Sequence, residues 1–243
     1  MRRGELTDIG KRRSHNEDSF YSFSNGKYYY GIVADGMGGH LAGELASNMA
    51  IREIKEYLMK HFTDGMDCFQ VGEVIKRAFE KANTAVYEYA QQNLNVMGMG
   101  TTVTFAMVYD GKLISANVGD SRTYIIKDRK IEQITRDHSY VAELVAHGQI
   151  TPEQAKNHPK RNYITRAIGT EKTVKVDVKI INYSNETVLL CSDGLSNMVE
   201  DREINNIVRN KKNLARCAEK LVALANRRGG TDNITVVLYR KDR

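Results

Sequence analysis

Four aspartates in this 243-residue chain stand where an apolar run meets a turn. Asp35 follows Tyr28-Tyr-Tyr-Gly-Ile-Val-Ala34 and precedes Gly36. Asp193 follows Thr187-Val-Leu-Leu-Cys-Ser192 and precedes Gly194. Asp120 follows Leu113-Ile-Ser-Ala-Asn-Val118 and Gly119. Asp232 lies in Gly229-Gly-Thr-Asp-Asn-Ile-Thr235, just ahead of an apolar run. Short apolar runs bounded by turn residues read as buried strands. Strands of one core that each end in a carboxylate can bring those carboxylates together, and a cluster of bare carboxylates repels itself unless cations sit among them. A divalent-cation site is therefore the leading expectation.

The remaining pattern says what carries these ends. Residues 28–34 read as a strand. Leu41, Leu45, Met49, Ile54, Leu58 and Phe62 recur at helical spacing and predict a helix over 41–61. A second amphipathic helix is expected over 71–92. Strands follow at 101–109 and 112–118 across the Asp110-Gly111 turn, then at 122–127 and 130–134 across Asp128-Arg129. Further strands are expected at 174–181, 187–192 and 234–239, with helices at 202–209 and 214–227. About eight strands joined mostly by hairpins, with helices in pairs, do not alternate as a parallel βαβ protein would. The expected class is α+β: two antiparallel sheets packed face to face, flanked by pairs of α-helices. With two prolines, no linker and no repeat, the simplest organisation is one domain over 1–243. The polar, basic stretch at about 139–166, with a Thr151-Pro152 helix start, reads as a flap inserted over a site.

Bulk chemistry narrows the function. The excess of 36 basic over 30 acidic residues is spread along the chain, without the aromatic and basic stripe of a single-strand nucleic-acid binder, so no nucleic-acid partner is expected. Three cysteines at irregular spacing predict free thiols in a reducing compartment. The charged N-terminus lacks a signal-peptide core and no run is long and apolar enough to span a bilayer, which gives a cytoplasmic expectation with no membrane insertion.

The candidate ligands are Asp18, Asp35, Asp120, Asp193 and Asp232, with Glu17 beside them. All are oxygen donors, and no His or Cys recurs at zinc spacing, so Mg²⁺ or Mn²⁺ is favoured. Glycine beside Asp35, Asp120 and Asp193 suits a sharp turn, and the Gly36 carbonyl can itself reach a metal. Two ions about 3.5–4 Å apart can share a water and lower its pKa enough to attack a phosphorus atom in line. Arg13 offers a planar fork for phosphate oxygens, with Arg12 as its local competitor. His40, directly after the Gly36-Met-Gly-Gly39 loop, is a further candidate.

These residues sit in a set of segments that resembles the metal-dependent Ser/Thr protein phosphatases of type 2C, in their compact bacterial form. The segments are Gly10-Lys-Arg-Arg-Ser-His-Asn-Glu-Asp18, Val33-Ala-Asp-Gly-Met-Gly-Gly-His40, Gly100-Thr-Thr-Val103, Asn117-Val-Gly-Asp-Ser-Arg122, Thr135-Arg-Asp-His-Ser139, Ile164-Thr-Arg-Ala-Ile-Gly169, Ser192-Asp-Gly-Leu195 and Gly230-Thr-Asp-Asn-Ile-Thr235. They occur in the family's order and span nearly the whole chain. The resemblance implies a two-sheet sandwich with a binuclear Mn²⁺/Mg²⁺ centre at one end. It assigns Asp35 as the bridge between the ions, with Gly36 offering its carbonyl, and Asp193 and Asp232 as completing one ion. Glu17 and Asp18 hold metal-bound water or the metals, Asp120 with Asp193 forms a weaker third site, and Arg13 binds phosphate. It further implies a monomer acting on phosphorylated proteins, including a cognate Ser/Thr kinase. Animal members carry a histidine directly after the Asp-Gly pair; here that residue is Met37, which leaves His40 or a water on the third ion to protonate the leaving oxygen. The alternative on the same fold is a catalytically weak module that binds phosphoproteins.

Overall fold

The computed structural model describes residues 2–39, 41–209 and 211–241. In chain order the elements are β1 (Arg2–Asp8), β2 (Asp18–Ser24), β3 (Tyr29–Met37), α1 (Leu41–His61), α2 (Cys68–Gln92), β4 (Gly100–Thr101), β5 (Val103–Tyr109), β6 (Lys112–Val118), β7 (Arg122–Lys127), β8 (Lys130–Gln133), α3 (Tyr140–Ala146), α4 (Pro152–Lys156), β9 (Asp177–Asn182), β10 (Thr187–Cys191), α5 (Asp193–Ser196), α6 (Asp201–Val208), α7 (Leu214–Arg227) and β11 (Ile234–Arg240). One sheet runs β1-β11-β10-β7-β8; the other runs β2-β3-β5-β6-β9, with β4 added to β3. All pairings are antiparallel.

The layering follows from which face each strand residue takes. On β3, Tyr29 and Val33 enter the core between the sheets, while Tyr30, Ile32 and Ala34 face α1 and α2. On β11, Val237 and Tyr239 face the other sheet and Ile234, Val236 and Leu238 face α6 and α7. Central strands buried on both sides read as continuous apolar runs, which is why β3, β10 and β11 are conspicuous in the sequence. At the centre Gly31 leaves room for Val237, and the Tyr239 hydroxyl donates to the Ala106 carbonyl at 2.9 Å. The result is an α-β-β-α stack, the class the sequence predicts. Among the described residues no helix is long and apolar enough to cross a membrane.

Among the described residues there are eleven strands rather than about eight. β1 escapes sequence reading because only Gly4 of its seven residues is buried, and that glycine is required because the Leu214 backbone at the start of α7 lies where its Cβ would be. β2 is rich in serine and only its first residue is buried, so it lacks an apolar run. The segment 139–166 leaves the sandwich and returns at one point. Ser139 bridges Ile164, and the Tyr140 N–H donates to the Tyr163 carbonyl. Between these ends it carries α3 and α4, the latter capped by a reciprocal Thr151–Gln154 pair.

Candidate metal centre

The register of the sheets decides what meets at one end of the sandwich. Asp18, the first residue of β2, lies directly opposite Asp35 on β3. Directly opposed residues share a face, with Cβ atoms about 4.5–5.5 Å apart. Asp18 is 6% exposed. Its Oδ2 accepts hydrogen bonds from Ser192 Oγ and Thr235 Oγ1, both at 2.7 Å, so this carboxylate joins one sheet to the other. Its Oδ1 has no partner. Asp35 is anchored through its backbone: its N–H donates to Thr102 Oγ1, and its carbonyl accepts from the Thr102 N–H and the Thr101 hydroxyl. Asp193 opens α5, with Asn197 Nδ2 donating to its Oδ2 at 2.9 Å and its Oδ1 unpartnered. Asp120 is 9% exposed and its Oδ1 is also unpartnered. Asp232 receives Arg13 Nη2 at 2.8 Å and the Asn233 N–H at 2.9 Å.

The carboxyls raise one another. Burial pushes Asp18 up to about 7, helped by the charges of Asp193 and Asp232 and opposed by the two hydroxyl donors. Burial and the Asp232 charge push Asp193 up to about 6, opposed by a hydrogen bond with Asp35 and by the charges of Arg13 and Arg122. Asp35 stands well above the ordinary carboxylate range through burial, then the charges of Asp18, Asp193, Asp120 and Asp232. Asp120 is likewise raised, by burial, Asp193 and Asp137. Arg13 is held more firmly protonated because Asp232, Glu17 and Asp35 together outweigh its partial burial. The structure thus brings Asp18, Asp35, Asp120, Asp193, Asp232 and Arg13 into one electrostatic unit. Glu17 adjoins it: its carbonyl accepts from the Gly36 N–H at 3.2 Å. His40 lies outside the described residues.

Three unpartnered buried carboxylate oxygens in a group of mutually destabilised carboxyls, all hard oxygen donors, fit a divalent oxygen-seeking cation such as Mn²⁺ or Mg²⁺. Among the described residues no three acidic, His or Cys side chains are already drawn into a cage around a point. The fit rests on the charge that has to be neutralised.

Two glycines differ from expectation. Gly36 and Gly194 make no left-handed turn: Gly36 continues β3 opposite Thr101, and Gly194 is inside α5. Each is glycine because another backbone passes through the space of a Cβ, 2.0 Å from the Gly43 carbonyl oxygen for Gly36 and 2.0 Å from that of Asn233 for Gly194. Gly119, at φ 105°, is a true left-handed turn.

Sequence reasoning passed over the residues that hold the acids in place. Asn233 donates to the carbonyls of Ile9 and His15 and accepts from the Glu17 N–H, stitching the 9–17 loop to β11. Ser192, Thr235 and Thr102 orient Asp18 and Asp35. Ser192 and Thr235 stand in segments quoted above that carry an aspartate, whereas the segment of Thr102 carries none. His138, 5% exposed, fixes the Asp120 turn. Its Nδ1 accepts the Gly119 N–H at 3.0 Å, and its Nε2 lies 3.1 Å from Asp177 Oδ2 and 2.9 Å from Arg166 Nη1. Arg166 reaches the same Asp177, linking the return of the 139–166 segment to the turn that carries Asp120.

A family model, protein phosphatase 2C, matches residues 10–235. The chain belongs to the protein phosphatase 2C family. It is 40% identical over 238 residues to the serine/threonine phosphatase Stp of Listeria monocytogenes, covering 97% of this chain and 94% of that one. The crystal structure of the serine/threonine phosphatase Stp1 from Staphylococcus aureus superposes with a TM-score of 0.91 at 38% identity, over 99% of this chain and 95% of that one. The catalytic domain of the serine/threonine protein phosphatase PstP, in complex with two manganese ions, superposes with a TM-score of 0.82 at 33% identity, over 98% and 96%. This protein phosphatase 2C chain is accordingly a serine/threonine protein phosphatase by class, with the α+β sandwich of bacterial serine phosphatases, and its family depends on Mn²⁺ or Mg²⁺.

Proposed function

We propose that the chain removes phosphate from phosphoserine and phosphothreonine in proteins, reversing a Ser/Thr kinase, and that residues 1–243 act as one monomeric catalytic domain. The observation that carries this is the opposition of Asp18 and Asp35 across β2 and β3, with Asp193, Asp232 and Asp120 each raising or being raised by a neighbour in the same group. Glu17, Asp18, Asp35, the Gly36 carbonyl, Asp193 and Asp232 would hold two ions, and Asp120 with Asp193 a third, weaker one. Bound there, divalent cations supply a nucleophile at neutral pH and positive charge for the phosphoryl oxygens.

The chain's own side chains do the rest. Asp35 lies centrally among the acids and would bridge the ions. Arg13 pairs with Asp232 and is half exposed, so its remaining guanidinium N–H groups can take a phosphate oxygen without leaving the acidic group. Ser192 and Thr235 keep one oxygen of Asp18 occupied and so direct the other. The 139–166 segment, pinned at Ser139 and Ile164, would act as a flap. A module that only held phosphoproteins would not need the full carboxylate group, and none of its positions is lost.

Phosphate release from a phosphothreonine peptide decides the matter, with the protein assayed in Mn²⁺, in EDTA, and as Asp35→Asn and Asp193→Asn. Release in Mn²⁺ that EDTA and both variants abolish is expected. Full activity in EDTA, or none in Mn²⁺, would refute the reading.

A further inference from the structure

β8 ends its sheet, with a strand neighbour on one side only among the described residues. α6 lies along the other side, and between them runs a groove of about 730 Å³ that contains none of the carboxylates described above. Four cations line it: Arg129 and Lys130 at the β7–β8 turn, and Arg202 and Arg209 at the two ends of α6. Among the described residues none of the four makes an ion pair. The acids nearby are few or engaged. Glu132 lines the groove, Asp128 and Asp201 adjoin two of the cations in sequence, and Glu203 is taken by a two-pronged pair with Arg228. Asn205, 4% exposed, also lines the groove, and its amide nitrogen has no hydrogen-bond partner. Four unpaired cations with one acid, Glu132, among them give the groove a net positive charge that favours an anionic occupant.

We infer that this groove docks an extended acidic segment of the phosphoprotein substrate, away from the residue being dephosphorylated. The inference rests on the phosphatase reading above. Charge decides the occupant, and the half-buried Ile131 in the lining suits a peptide better than a free anion. The short open edge of β8 offers backbone groups to an extended chain as well. Geometry sets the spacing. β7 starts at Arg122, two residues after Asp120, and its far end, Lys127, pairs with Lys130. Five steps of strand cover about 17 Å. An extended substrate therefore needs about six residues between its phosphorylated side chain and its acidic run.

The test uses the whole chain with Mn²⁺ and phosphothreonine peptides carrying four glutamates about six residues to the N-terminal or the C-terminal side, each beside a glutamine counterpart. A five-residue phosphothreonine peptide serves as the control. One glutamate peptide should show a KM about tenfold below its glutamine counterpart, the size expected of a few exposed charge contacts. Arg202→Glu combined with Arg209→Glu should erase that advantage, with kcat and the short peptide unaffected and the melting temperature retained. The lysine double variant should keep most of it. No glutamate preference in the wild type, a preference that survives the glutamate variant, or an equal loss on the short peptide overturns the inference. So does a single-stranded RNA that displaces the glutamate peptide at lower concentration. Fluorescence anisotropy of the unphosphorylated glutamate peptide on metal-free protein reads the groove without catalysis. Binding there that the glutamate variant removes upholds the groove even if no peptide is hydrolysed, which would sink only the phosphatase reading, and absence of binding there overturns the inference.

Discussion

Neutralising Asp18 should stabilise the metal-free protein. The substitution is Asp18→Asn, which keeps the shape: the amide oxygen can still accept from Ser192 and Thr235, and the new NH₂ replaces the unpartnered Oδ1 among carboxylates able to accept. An unfolded aspartate titrates near 3.9, whereas Asp18 in the fold is pushed up to about 7. At about 1.36 kcal/mol per pH unit the difference is about 4 kcal/mol. The sign follows from proton uptake. Below about pH 4 both states hold the proton and nothing is lost. As pH rises, the unfolded chain releases it while the folded chain keeps it, so stability falls until pH passes about 7, and stays low above that. About 3 kcal/mol of the loss falls between pH 5 and pH 8, or roughly 6–12 °C in melting temperature for a chain of this size. Thermal melts followed by circular dichroism in EDTA should show the wild type losing stability across that window. The variant should have a shallower slope and a higher melting temperature at pH 8, and Mn²⁺ should raise it less than it raises the wild type. A wild-type melting temperature that is flat from pH 5 to pH 8 in EDTA, or a variant less stable at pH 8, would refute the electrostatic reasoning.

Three other substitutions probe separate parts of the centre. Arg13→Ala should raise KM for a phosphothreonine peptide by about tenfold or more, the cost of a lost charge-assisted contact, while Mn²⁺ still binds in calorimetry. Gly43→Ala would put a Cβ 1.9 Å from Glu17 Oε2, so it should lower Mn²⁺ affinity and turnover together; unchanged turnover would mean Glu17 can move at no cost. Asp120→Ala should reduce turnover by about tenfold or more yet leave two ions bound, as counted by equilibrium dialysis.

The sequence disclosed what burial on both faces makes visible. β3, β10 and β11 read as unbroken apolar runs with an acid at one end, and the α1 and α7 boundaries match Leu41–His61 and Leu214–Arg227. It hid β1 and β2, whose pairing rests on backbone and on single residues such as Gly4 and Asp18. No apolar run therefore points to Asp18, although the register that sets it opposite Asp35 is the most informative contact in the centre. Gly36 and Gly194 were noticed for the wrong reason: a glycine needed for close backbone approach looks in sequence the same as one needed for a turn. The orienting hydroxyls of Ser192 and Thr235 carry no period and become legible only once both sheets are in place.

The central claim is that these aspartates gather divalent cations at the end of the sandwich. Calorimetric titration of the EDTA-treated, desalted protein with Mn²⁺ near pH 6, repeated in two buffers of different ionisation enthalpy, tests it most directly. Two ions should bind per chain with net release of protons, because Asp18 and Asp193 are still partly protonated there and must ionise to ligate. Absence of binding, or two ions bound with the same heat in both buffers, would contradict it.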